Sequence, residues 1–265
     1  MTTATDTRVR TLGDRIETRV QVAGDGPPLL FLHGAMGLTW DPFLDSLSER
    51  FTVYAPELPG TSPGDPDAIN AVDDLWDLVL HHYDLLDGLG LDRPAVVGHS
   101  FGGMVAAEVA ATNPQRVGKL VLVSPVGLWR DDLPVAQFLS MTPEEVVEIA
   151  FADPSGEDAR QFLAMPEDEV AMQDAMIKNA WSQACAAKFI WPLPEKGLHK
   201  RLYRVTAPTL IIWGTEDRLA PPGYAEEFAQ RIAGARVEKL DGAAHLPHVE
   251  QQARTSRLVL DFLTT

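Results

Sequence analysis

Residues 95–105 read AVVGHSFGGMV, and no other stretch limits the possible folds of this chain as tightly. A strand-forming run, Ala95 to Val97, stops at Gly98. Two hydrogen-bonding side chains follow, His99 and Ser100, and then Gly102 and Gly103 open an apolar segment with helical spacing over 103–112. A buried strand thus gives way to a helix across one sharp turn, with Ser100 at its tip. A residue at such a tip takes a strained backbone conformation, tolerated only where neighbouring side chains are absent. That accounts for glycine two places before and two places after the serine. The helix start behind it would aim backbone N–H groups at negative charge developing beside Ser100. Gly98-His99-Ser100-Phe101-Gly102 therefore predicts a turn built around a nucleophile.

Other short apolar runs supply the setting for that turn. Residues 29–33 read LLFLH, 52–55 TVYA, 119–123 KLVLV, 208–213 PTLIIW and 236–240 RVEKL. Between the second of these and the serine turn, residues 71–89 place Leu75, Leu78, Val79, Leu85, Leu86 and Leu89 at three- and four-residue steps, the spacing of an amphipathic helix. The helix over 103–112 is expected to stop before Asn113-Pro114, because proline disfavours helix at the residue preceding it. Strands alternating with helices predict a parallel sheet covered on both faces, with residues 8–22 as an antiparallel pair at one edge. The segment 127–204 breaks the alternation. It is acidic and helix-like, with prolines from Pro134 to Pro194 and helical pieces at 143–151 and 167–189. The expected organisation is a core of 1–126 and 205–265 with a helical insertion at 127–204.

A serine hydroxyl is a weak nucleophile without a base, and the base needs a carboxylate to orient it. The chain has seven histidines. His81 and His82 fall within a helix and are expected on or near its surface. His245 lies in GAAHLPHVE, where a strand has ended and a Gly-Ala loop runs towards a helix. It is the strongest base candidate, with His248 on the first turn of that helix as its competitor. The loop after PTLIIW carries Glu216 and Asp217, of which Asp217 is preferred. The chain order Ser100, Asp217, His245 differs from that of the chymotrypsin and subtilisin groups and agrees with the hydrolase order.

Composition removes other classes. The balance of 22 basic against 38 acidic residues gives a net charge of −16, which repels phosphate-rich partners, so no nucleic acid is expected. The single cysteine, Cys185, excludes an intrachain disulfide and reads as a buried small apolar residue. The polar opening MTTATDTRVRTLGDR shows no secretory signal and no run reaches membrane-spanning length, so a cytoplasmic protein without a membrane partner is expected. No cluster suggests a metal, and no cofactor is called for.

The chain resembles the α/β-hydrolase fold superfamily, in particular its capped, esterase-like members. The resemblance is carried by LLFLHGAMG at 29–37, ELPGTS at 57–62, VVGHSFGG at 96–103, TLIIWGTEDRLAP at 209–221 and GAAHLPHVE at 242–250, and it covers nearly the whole chain. Two departures stand out: the family's usual Asp before PG is Glu57 here, and its Gly-x-Ser is shortened to Thr61-Ser62. The resemblance implies an α/β-hydrolase fold, mostly parallel, with residues 127–204 as a helical cap over the serine. Carried over, it makes Ser100, Asp217 and His245 the triad and the backbone N–H groups of Ala35 and Phe101 the oxyanion donors. Met36 and Trp40, past the oxyanion loop, and Trp129, Phe138 and Trp191, from the cap, are candidate substrate contacts. The expected reaction is hydrolysis of a small-molecule carboxylic ester with a modest apolar group. Lactonase, carbon–carbon bond hydrolase or cofactor-free perhydrolase activity on the same triad stays open, as does a non-catalytic ligand receptor of the same fold. His-Gly in the oxyanion loop and His99 before the serine weigh against the carbon–carbon reading.

Overall fold

Consecutive residues of the apolar runs point to opposite sides of one sheet, which is why those runs carry no polar alternation. The computed structural model describes residues 4–192 and 196–265; the expectations at Pro194 and at the first three residues lie outside them. The eight strands are β1 (Thr5–Thr11), β2 (Ile16–Ala23), β3 (Pro28–Leu32), β4 (Thr52–Pro56), β5 (Ala95–His99), β6 (Lys119–Val123), β7 (Thr209–Gly214) and β8 (Arg236–Leu240). They form one sheet in the order β1-β2-β4-β3-β5-β6-β7-β8. The β1–β2 and β2–β4 pairs are antiparallel, and every pair from β4 through β8 is parallel.

The helices are α1 (Pro42–Ser48), α2 (Leu75–Gly88), α3 (Phe101–Thr112), α4 (Pro143–Ala150), α5 (Glu157–Leu163), α6 (Glu169–Ile190), α7 (Tyr224–Arg231), α8 (Pro247–Glu250) and α9 (Gln252–Thr264). Leu120 and Leu122 of β6 join a core with Leu78 of α2, Val105 of α3 and Phe228 of α7. Val121 and Val123, their immediate neighbours, join the opposite core with Leu44 and Leu47 of α1 and Val259 of α9. The expected helix over 71–89 starts only at Leu75. Asp74 caps it by accepting the N–H groups of Trp76 and Asp77, and residues 66–71 wind as a 3₁₀ turn. The helix expected after the His245 loop is two pieces, interrupted at Gln251.

His81 and His82 correct the reading of a surface position, since both are buried. α2 packs with β1 on one side and α3 on the other. The His81 ring meets Thr11 Oγ1 of β1 at 2.8 Å, while His82 donates Nδ1–H to the carbonyl of Leu78 at 2.7 Å. Burial holds His81 well below its ordinary range and His82 down to about 4, so both rings are neutral.

α4, α5 and α6 lie between β6 and β7 in the chain. α4 is joined to the core through backbone: the N–H of Arg218 donates to Ile149 O at 3.1 Å and that of His245 to Ala150 O at 2.9 Å. α6 is joined by side chains, Trp181 Nε1–H to Gly60 O at 2.8 Å and Lys188 Nζ to Ile69 O at 3.0 Å. No helix among the described residues is long and apolar enough to cross a membrane.

Candidate active site

The turn after β5 has the shape that its glycines anticipate. Ser100 sits at φ 53°, ψ −115°, between the last residue of β5 and the first of α3. Its N–H continues the sheet by donating to Val123 O at 3.0 Å. A Cβ on Gly98 would lie 2.4 Å from Gly102 O, and one on Gly102 would lie 2.1 Å from Leu32 O. Both separations are far inside van der Waals contact, so the glycine spacing follows from the close approach of α3 to β5 and β3. The strained serine is held there by that packing.

Because β5, β7 and β8 run parallel, the loops leaving their C-terminal ends emerge at one edge of the sheet, and three side chains from those loops meet. Ser100 Oγ lies 2.8 Å from His245 Nε2, and His245 Nδ1 lies 2.8 Å from Asp217 Oδ2. Asp217 Oδ1 accepts the N–H groups of Leu219 at 3.0 Å and Ala220 at 2.8 Å, and Oδ2 also accepts the indole N–H of Trp213 at 3.0 Å. Four donors thus converge on one buried carboxylate and set its rotamer. Since Asp217 can only accept, His245 carries its proton on Nδ1, which leaves Nε2 free to take the proton of Ser100. The three side chains belong to residues only 5%, 3% and 4% exposed for Ser100, Asp217 and His245. Glu216, the alternative acid, is exposed, with its N–H donating to Ala243 O at 2.9 Å.

Phe101 is the first residue of α3, so its N–H has no carbonyl four residues back within the helix. Ala35 lies in the turn after β3, closed by Gly37 N–H donating to Gly34 O at 3.2 Å. His33 braces this turn. Its Nδ1–H donates to Gly34 O at 2.7 Å and its Nε2 accepts the N–H of Leu58 at 3.2 Å. Burial pushes the His33 ring down to about 4, which keeps it neutral and preserves both roles.

The other candidates are dispersed. Met36 touches α6, with its Sδ 2.9 Å from Gln183 Nε2. Trp40 packs on the α1–α9 core and donates its indole N–H to Asp45 at 3.1 Å. Phe138 is buried in the α2–α3 core, which reaches into the insertion. Trp129 donates to Asp131 at 2.9 Å and lines a surface pocket of about 320 Å³ with Arg130, His199, Tyr224 and Glu227, away from the triad. Trp191 is exposed. His248 is buried, with its ring centroid 4.3 Å from that of His99 and 5.6 Å from that of Phe43. Sequence reasoning missed Trp213, which looked like the end of a strand, and Glu250, which it met only as the last residue of GAAHLPHVE. Trp213 lies only four residues before Asp217, but nothing in the sequence shows that the indole turns back onto that carboxylate. Glu250 joins Ala244, six residues away, to Ala152, 98 residues away.

Residues 29–258 match the model of the alpha/beta hydrolase family, and the chain belongs to that family. It is 28% identical to the 2-hydroxy-6-oxo-6-phenylhexa-2,4-dienoate hydrolase of Comamonas testosteroni, over 91% of this chain and 89% of that protein. It is 29% identical to the pimeloyl-[acyl-carrier protein] methyl ester esterase of Nitrosomonas europaea, over 86% and 92%. An esterase from Exiguobacterium antarcticum superposes with a TM-score of 0.77, covering 98% of this chain and all (100%) of that one, at 20% identity. At that identity the likeness speaks for the fold alone.

Proposed function

We propose that this chain is a serine hydrolase cleaving a carboxylic ester of a small to medium apolar substrate through an acyl-enzyme. The observation that carries the reading is the hydrogen-bonded series Ser100–His245–Asp217, with both links at 2.8 Å. In the reaction Ser100 Oγ attacks the acyl carbon as His245 Nε2 takes its proton, and Asp217 stabilises the imidazolium. The carbonyl oxygen, now an oxyanion, is received by the N–H groups of Ala35 and Phe101. Collapse expels the alkoxide, which recovers the proton from His245. Water, deprotonated by the same nitrogen, then releases the acid and restores Ser100. An apolar acyl or aryl group suits the surroundings, since Phe189 of α6 stacks on Phe101, beside the nucleophile, at 6.3 Å between ring centroids.

A second reading is favoured by the Comamonas testosteroni relative. The substrate in its name is a keto-dienoate without an ester group, so its hydrolysis must break a carbon–carbon bond. The same triad could attack that ketone.

The experiment is reaction with a fluorophosphonate, followed by turnover assays on p-nitrophenyl esters of increasing chain length, on lactones and on a 2-hydroxy-6-oxo-dienoate. Covalent labelling of Ser100 with ester turnover supports the proposal. Labelling with turnover of the dienoate alone moves the reading to carbon–carbon hydrolysis. An unlabelled wild-type protein overturns both.

A further inference from the structure

His99 meets the nucleophile, the base and the turn after β3 at once. It precedes Ser100 in the chain, and its Nε2 lies 3.0 Å from the backbone carbonyl oxygen of His245. Its Nδ1 lies 3.0 Å from where a Cβ on Gly34 would stand, so the ring fills the space left by that glycine beside the oxyanion turn. A carbonyl oxygen only accepts, so the proton of His99 sits on Nε2 and Nδ1 is bare. The ring is wedged, with centroids 4.3 Å from His248 and 5.2 Å from His245. Burial first, and then His248 and His245, hold its pKa well below 6.5, so the ring stays neutral with that single proton.

The consequence falls on the peptide groups flanking the base. The N–H of His245 donates to Ala150 O at 2.9 Å, and its C=O accepts from His99. Its backbone is therefore fixed at both polar groups, once by α4 and once by the strand that carries the nucleophile. We propose that His99 is a positioning residue: through its Nε2–H bond to the His245 carbonyl, the strand bearing Ser100 itself sets the separation of Ser100 Oγ from His245 Nε2. This rests on the serine-hydrolase reading above. Misplacing reacting groups by about 1 Å costs up to about 100-fold in rate, so a bond across that gap bears directly on catalysis.

The test compares His99→Met, which keeps bulk and removes the donor, with His99→Gln, whose amide reaches nearly as far as Nε2 and restores an N–H. Two readouts are taken on folded protein: the fluorophosphonate labelling rate with the kcat and KM of ester turnover, and the low-field proton NMR signal of His245 Nδ1–H. In His99→Met the labelling rate and kcat should fall about 10- to 100-fold with KM nearly unchanged, and the Nδ1–H signal should broaden or vanish. His99→Gln should recover both. The proposal is overturned if His99→Met matches wild type in both readouts, or if His99→Gln is as impaired as His99→Met. A wild-type protein that does not react with fluorophosphonate is a separate result: it removes the serine-hydrolase reading, and this proposal with it.

Discussion

Trp213 donates its indole N–H to Asp217 Oδ2 at 3.0 Å, the same oxygen that receives the ring of His245. The Asp217 carboxylate is therefore oriented by the strand that precedes it as well as by its own loop. The same indole N–H also reaches Ala220 O at 2.9 Å, which ties the loop back onto β7.

Trp213→Phe keeps an aromatic ring in the core and removes that donor. We expect kcat to fall about 10-fold and unfolding stability to drop by about 1–3 kcal/mol, since a buried acceptor loses its partner. Asp217→Asn should be far more damaging, about 10³- to 10⁴-fold, because the carboxamide disturbs the His245 tautomer. Steady-state kinetics with urea denaturation of the same preparations separate the two effects.

Ser100→Ala should lower kcat by about 10⁵- to 10⁶-fold and leave the circular dichroism spectrum unchanged. At φ 53° the position favours glycine. Ser100→Gly should therefore be equally inactive yet more stable than Ser100→Ala by about 1 kcal/mol. Equal denaturation midpoints for the two variants would contradict the strain described at this turn.

Glu250 accepts two backbone N–H groups, of Ala152 and Ala244, each at 2.7 Å. It links the residues following α4 to the residue before the base. Glu250→Ala should cost about 2 kcal/mol in stability and lower kcat more than it raises KM. Glu250→Gln, which keeps one acceptor, should fall between. Kinetics at a temperature well below both melting transitions would check the ordering.

Acidification should unfold the protein through its histidines. His33 and His82 are pushed down to about 4 and His248 to about 3 by burial, and His81 and His99 are also lowered. Below the ordinary value of 6.5 the unfolded chain binds protons that the folded one refuses, so stability is full above that pH and declines as pH falls towards 4. Each such histidine contributes a slope of up to about 1.4 kcal/mol per pH unit. Asp41, raised by burial to about 6, works in the opposite sense, as do Glu57 and Glu250. Five histidines against three carboxyls leave the net effect destabilising in acid. Denaturant midpoints between pH 7 and pH 4 would show a monotonic fall, and a flat profile would contradict it.

The meeting of Ser100, Asp217 and His245 was legible because the chemistry proposed for them dictates residue types in places that a sequence can display. The serine needs glycines around it, the carboxylate follows a strand, and the base occupies a loop near the end of the chain. The strands were legible too, as apolar runs with sidedness hidden by burial on both faces. The histidines of α2 were not. A helical position is buried or exposed according to what packs on it, and the Thr11 contact of His81 spans 70 residues of chain.

The sequence by itself determined the parallel sheet, the serine turn and the three side chains that meet at it, because backbone sterics and hydrophobic periodicity act locally and leave local marks. Tertiary structure alone decided what holds those side chains still: Trp213 on Asp217, His99 on the His245 carbonyl, Glu250 across α4 and the base loop. Two of these contacts join segments far apart in the chain, His99 to His245 across 146 residues and Glu250 to Ala152 across 98. Trp213 reaches Asp217 only four residues on, where the fold of the loop turns the carboxylate back onto β7. A hydrogen bond reaches about 3 Å, a scale at which only the folded sheet determines which groups are neighbours.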